Sequence, residues 1–287
     1  MTATVAACIL LLPGKAAAAW RERLLASAGN DWFVLPYAGQ PVSAIAHGTI
    51  LLVSDIAHAR HLEPARWIVV APDLGQAAQA AASAYDLPPE QGLWVVSRLL
   101  AEASTLSDAL WITDQTRGAA EIVPGLVVPA AERLLPEATD AGSARTALSL
   151  FADGPPLHGA SAQWARDLFR HTSTSGVVQG VPERLDMTGR ARILVFGPYV
   201  SLPPGDWRIR LRFWLDASAA KASWRLEWGD QARFATHVFR PGRAGRFEVE
   251  LSHRWEDAAP SELRLALDVP AVDGVLGFEG VRVDRVG

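Results

Sequence analysis

Three apolar runs in the first half of the chain end in an aspartate: Val53-Ser54-Asp55, Ala71-Pro72-Asp73 and Ile112-Thr113-Asp114. A carboxylate at a strand end can hold a metal ion or a sugar hydroxyl. It serves equally as an N-cap, and Asp55 before Ile56 and Asp73 before Leu74 suit that role. Asp55, His58 and His61 have the residue types of a metal site, but six residues of helix would rotate His61 away from Asp55. Pro13-Gly14-Lys15 lacks both the further glycines of a dinucleotide loop and the Gly-Lys-Ser/Thr ending of a P-loop, so it reads as a plain strand-to-helix turn. No Gly-x-Ser-x-Gly elbow occurs, and His171, Ser173 and Ser175 fall in a polar stretch that reads as loop. The residues therefore assign no catalytic group, no metal and no cofactor.

The second half presents a different chemistry. In Trp207-Arg208-Ile209-Arg210-Leu211-Arg212-Phe213-Trp214-Leu215, Trp214 is out of the apolar phase and shares a face with Arg208, Arg210 and Arg212. Arg225 and Glu227 hold the equivalent wet phase of Trp224-Arg225-Leu226-Glu227-Trp228. Indole faces stack on sugar rings, and arginine forks bond hydroxyls or carboxylates. Arg210, Arg212, Trp214, Arg225 and Glu227 are thus the candidate carbohydrate-binding residues. The same pattern arises if Trp214 packs against the α/β domain or another subunit and Arg225 and Glu227 belong to a charged ladder.

The elements that must position these residues differ between the halves. Continuous apolar runs at Val5–Leu12, Thr49–Ser54, Trp67–Ala71, Leu110–Thr113 and Ile122–Val128, with a shorter one at Trp32–Leu35, alternate with helical stretches. The helices are expected at Lys15–Ser27 (Trp20, Leu24 and Leu25 on one face), Ile56–His61, Leu74–Tyr85, Pro89–Ala103 and Ala130–Leu135. That grammar predicts an open α/β layer domain over residues 1–150, with ligands beyond the carboxyl ends of a parallel sheet. A helix at Ser161–His171 and a linker fill 151–180. From 181 to 287, period-two runs recur at 207–215, 224–228, 247–251, 263–267 and 281–283, separated by turns such as Pro203-Pro204-Gly205-Asp206 and Gly229-Asp230. They predict an antiparallel β-sandwich, jelly-roll-like, with Trp207, Leu211, Phe213, Leu226, Val249 and Leu265 inside.

Composition narrows the function classes. The chain has 287 residues, 49% hydrophobic and 20% charged, with a net charge of −4. These values exclude a disordered chain, and the scattered arginines form no basic stripe for nucleic acid. One cysteine, Cys8, excludes an internal disulfide framework and a cysteine-based zinc cluster. The apolar run Ala3–Leu12 is preceded by no basic residue and is too short to span a membrane, so a buried strand and a cytoplasmic location are expected.

The stretch Leu185-Asp186-Met187-Thr188-Gly189-Arg190-Ala191-Arg192-Ile193-Leu194-Val195-Phe196-Gly197-Pro198-Tyr199, continuing through Leu202-Pro203-Pro204-Gly205-Asp206-Trp207, resembles β-sandwich accessory modules of bacterial exopolysaccharide and capsule glycosyltransferases. Arg225-Leu226-Glu227-Trp228-Gly229 and Phe278-Glu279-Gly280-Val281 share that pattern. The resemblance covers residues 180–287 and implies a carbohydrate-related setting without implying catalysis. The expectation is a non-catalytic carbohydrate-binding or accessory protein of polysaccharide biosynthesis, whose partners are a saccharide or a polysaccharide-synthesis enzyme. Two alternatives stay open: a glycosyltransferase-like enzyme using a nucleotide sugar at the rim around Asp55, Asp73 and Asp114, and a purely structural assembly module.

Overall fold

The structure, a computed structural model, describes residues 5–40, 48–129 and 142–287. The helix expected at Ala130–Leu135 lies outside them. The chain divides into two compact units, residues 1–155 and 156–287.

The first unit is built from β1 (Ala7–Leu11), α1 (Lys15–Ala28), β2 (Phe33–Tyr37), β3 (Thr49–Val53), β4 (Trp67–Ala71), α2 (Leu74–Ala84), α3 (Pro89–Ala103), β5 (Leu110–Thr113), the pair β6 (Ala120–Val123) and β7 (Leu126–Val128), and α4 (Gly142–Ala147). Strands β1 to β5 form one parallel sheet in the order β2-β3-β1-β4-β5. Its central strands are apolar but for Thr49 because both faces are covered, and Ile9, Ile50 and Ile68 are fully buried. Burial also pushes the Cys8 thiol up to about 12, so this cysteine is unreactive filling. Trp20 and Leu24 of α1 pack on the sheet with Ile122, Leu126 and Val128. On the other layer α2 and α3 lie so close that a Cβ on Gly92 would sit 2.2 Å from the Ala78 carbonyl oxygen.

Four details correct the sequence reading. Leu25 is 43% exposed, turned off the face that Trp20 and Leu24 share. The segment 120–128 is a separate antiparallel hairpin, broken by Pro124-Gly125. Only one 3₁₀ turn, Ile56–His58, replaces the helix expected to reach His61. Nor do residues 151–180 form a helix and linker. Ser161–Trp164 is strand, because Ala162 and Trp164 are buried while Gln163 is exposed, a period of two too short to separate from a helical turn by eye.

The second unit contains β8 (Ser161–Trp164), β9 (Arg170–Ser173), β10 (Gly176–Gln179), β11 (Leu185–Asp186), β12 (Arg192–Leu202), β13 (Gly205–Leu215), β14 (Trp224–Gly229), β15 (Phe234–Phe239), β16 (Gly245–Trp255), β17 (Ala259–Leu267) and β18 (Val275–Arg285). Two antiparallel sheets result, one ordered β10-β9-β12-β17-β14-β15 and the other β11-β18-β13-β16, with β8 also pairing β18. Their inner faces meet. Trp207, Leu211 and Phe213 of β13, Trp224, Leu226 and Trp228 of β14, and Leu263 and Leu265 of β17 are all fully buried, and Phe213 touches Phe239 across the layer. Val249 falls short of the core expected of it: β16 is an edge strand, and its inward residues Phe247, Val249 and Leu251 are only half-buried. Among the described residues no helix is long and apolar enough to cross a membrane.

Candidate functional site

The rim aspartates are spent on structure. Asp55 accepts from the Ala57 amide at 2.9 Å and from Arg98 at 2.7 Å; burial works to raise its pKa, but Arg98 and the amide outweigh it and hold the carboxyl below its usual range. Asp73 caps α2 at the Gln76 amide and takes Arg145 at 2.9 Å, while its own amide donates to Asp114 at 3.1 Å. Asp73 and Asp114 are therefore neighbours, and Asp55 is engaged elsewhere by α3. No cluster of metal-ligating side chains occurs among the described residues.

The five β-half candidates do not form one site. Arg210, Arg212 and Trp214 stand on the outer face of the β13 sheet, and Arg225 and Glu227 on the outer face of the other. With the inner faces packed together, these two groups point away from one another. Alternation settles which side of a strand is wet, but not which sheet receives it.

On the β13 sheet the outer face is a ladder of ion pairs. Arg208 lies 3.4 Å from Glu250, Arg210 2.7 Å from Asp284, and Arg212 2.6 Å from Glu248. Asp284 also takes Arg282 at 2.8 Å, and these arginines override the effect of burial to lower its pKa. Trp214 is no open platform. One side lies on Gly277, and the Arg184 guanidinium stands 5.2 Å from its ring centre.

The opposite sheet carries a different arrangement. Register pairing places Gln179, Arg170, Phe196, Arg264, Glu227 and Thr236 in one row that crosses all six strands, from β10 to β15, on the outer face. At its centre Arg264 donates twice to Glu262, at 3.0 and 2.9 Å, and approaches Glu227 at 3.9 Å. Glu227 also takes Arg225, which donates to Asp268 at 2.9 Å. The guanidinium of Arg264 lies over the Phe234 ring, 4.3 Å from its centre, which fixes its plane. Tyr199 donates to Glu262 at 3.2 Å; burial and that carboxylate push its pKa up to about 12, so it stays a protonated donor. Its backbone sits at φ 62°, beside an irregularity in the β12–β17 register, a strained conformation for a tyrosine.

The side chains of Glu262 and Glu227 are only 10% and 15% exposed, yet Thr236 and Gln179 at the ends of the row are open to solvent. The result is a neutral, rigid strip of forked donors and carboxylate acceptors flanked by phenyl and phenol rings. Phe196, Tyr199, Phe234, Glu262 and Arg264 escaped the sequence reading. Phe196 and Tyr199 appeared there only within the resemblance stretch, and Arg264 only as the wet residue between Leu263 and Leu265.

The chain matches no known protein family and no characterised protein at the level of sequence. Solved structures similar to it include a CBM61 module in complex with β-1,4-galactotriose, at 10% identity and TM-score 0.26, covering 32% of this chain and 61% of that one. A xylan-binding CBM15 module is similar at 10% identity and TM-score 0.30, over 44% of this chain and 97% of its own. The glycosylation-associated Gap123 complex of Streptococcus agalactiae is similar at 10% identity and TM-score 0.30, over 89% of this chain and 50% of that chain. No residue role is carried over from them.

Proposed function

We propose that the second unit binds a saccharide along the row from Gln179 to Thr236, without catalysing a reaction on it. The observation that carries this reading is the Tyr199–Glu262–Arg264–Glu227–Arg225 network, laid in register across the outer face of one sheet. Sugar hydroxyls need donors and acceptors held in fixed positions, and ion-paired arginine and glutamate side chains stacked on rings supply both. An accessory role in polysaccharide synthesis, with a synthesis enzyme as partner, fits such a module. Arg225 and Glu227 keep their proposed part; Arg210, Arg212 and Trp214 do not. The glycosyltransferase alternative is disfavoured because Asp55, Asp73 and Asp114 are already occupied by amides and arginines.

A glycan array followed by titration calorimetry tests the proposal. The full chain should bind a neutral oligosaccharide, and Thr236→Trp, which blocks the row without breaking an ion pair, should weaken binding at least about tenfold. Binding unchanged in Thr236→Trp and in Arg225→Ala, or no glycan bound at all, would overturn it.

A further inference from the structure

Two clefts of about 470 and 350 Å³ open at the carboxyl ends of β1, β2 and β3 in the first unit. Both are lined by Leu11 and Arg21, so they adjoin, and together they have the size of a small-molecule site. Their floor is apolar: Leu11 from the end of β1 and Leu12 just after it, Pro36 from β2, Leu52 from β3. Most polar groups around it are spent. The Gln40 amide is folded back on its own loop, accepting from the Ala38 amide at 2.7 Å and donating to the Pro36 carbonyl at 3.4 Å. The Tyr37 hydroxyl lies 3.1 Å from a His61 ring nitrogen.

Arg21 is the exception. It is exposed, stands where the two clefts join, and has no hydrogen bond or ion pair among the described residues. The Ser54 hydroxyl, on the wall of the second cleft, is likewise unspent among them. Glu22 borders only the first cleft, which leaves the second, Arg21-facing side for an anion. In open parallel sheets ligands bind beyond the carboxyl ends of the strands, where this depression lies.

We propose that the first unit binds a small anion with an apolar or planar body, its phosphate or carboxylate on Arg21 and Ser54 and its body over Leu11, Pro36 and Leu52. This site is independent of the saccharide row, and either can fail without the other.

The test is titration of the full chain with uridine diphosphate and, separately, with octanoate, which distinguishes a phosphate from a carboxylate source. At least one should bind with Kd below about 1 mM, and Arg21→Ala should weaken it about tenfold or more while Arg21→Lys retains most of it. Arg21 is exposed and unpaired, so neither variant should shift the melting temperature. Failure of both probes to bind, or binding indifferent to Arg21→Ala, would overturn the proposal.

Discussion

Trp214 lies flat against Gly277 on the neighbouring strand, so close that a Cβ on Gly277 would fall 1.7 Å from the indole Nε1. The glycine is a seat for the indole, and Arg184 stands over the ring. Trp214→Ala should therefore lower the stability of the second unit by about 1–3 kcal/mol and leave saccharide binding untouched. Urea unfolding together with a binding titration checks both halves of this expectation. Gly277→Val should destabilise further, because the valine would displace the indole.

Phe213 is fully buried, with Phe239 at 5.8 Å from the opposite sheet and Phe247 at 5.7 Å from β16. Phe213→Ala should cost about 3–5 kcal/mol, the usual range for a truncated core aromatic. Denaturant unfolding followed by tryptophan fluorescence would register it, since Trp207, Trp224, Trp228 and Trp255 are all buried in the same unit. An unchanged midpoint would mean that the inward phase of β13 has been misassigned.

The contact between Gly92 and the Ala78 carbonyl leaves no room for a side chain. Gly92→Leu should force α2 and α3 apart and lower the melting temperature by several degrees, even though glycine is a poor helix former and the substitution raises local propensity. A rise in melting temperature would show that propensity outweighs packing here.

Acid should unfold this protein through specific carboxylates. Asp55 and Asp284 both have folded pKa values below the ordinary one, because arginine partners outweigh their burial. Each carboxylate therefore contributes stability that is present above the unfolded value of about 3.9 and is lost as pH falls through the lower folded value. Stability measured from pH 6 downward should hold to about pH 4 and then decline. Asp284→Asn should reduce stability at pH 6 and flatten the decline below about pH 4. A variant whose acid limb is as steep as that of the parent would show that Asp284 is not among the responsible groups.

Phase was legible in the sequence, and neighbours were not. Trp207, Leu211, Phe213 and Leu226 lie inside because alternation is a local property of a strand. The partner of each strand depends on connections that alternation does not encode. Arg212 and Arg225, only thirteen positions apart, thus end on opposite outer faces, while Arg225 finds Asp268 from a strand pair much further along. The rim aspartates were equally readable as caps or ligands; only Arg98 and Arg145, distant in sequence, decide for the former in the structure. Tyr199 was invisible as a site residue because its orientation comes from a positive φ at a register irregularity.

The pairing of β8 with β18 sets Trp164 opposite Val281, about 120 positions later in the chain, a separation that slows closure of the sheet. All five strands of the parallel sheet have been made by residue 113. During synthesis, then, the first sheet can form while Trp164, whose final site is fully buried, still waits for a partner made about 120 residues later. Until β18 is made, its sheet lacks the strand that joins β8 and β11 to β13, and the aromatic residues of that inner face stay open to any chaperone or neighbouring chain that reaches them.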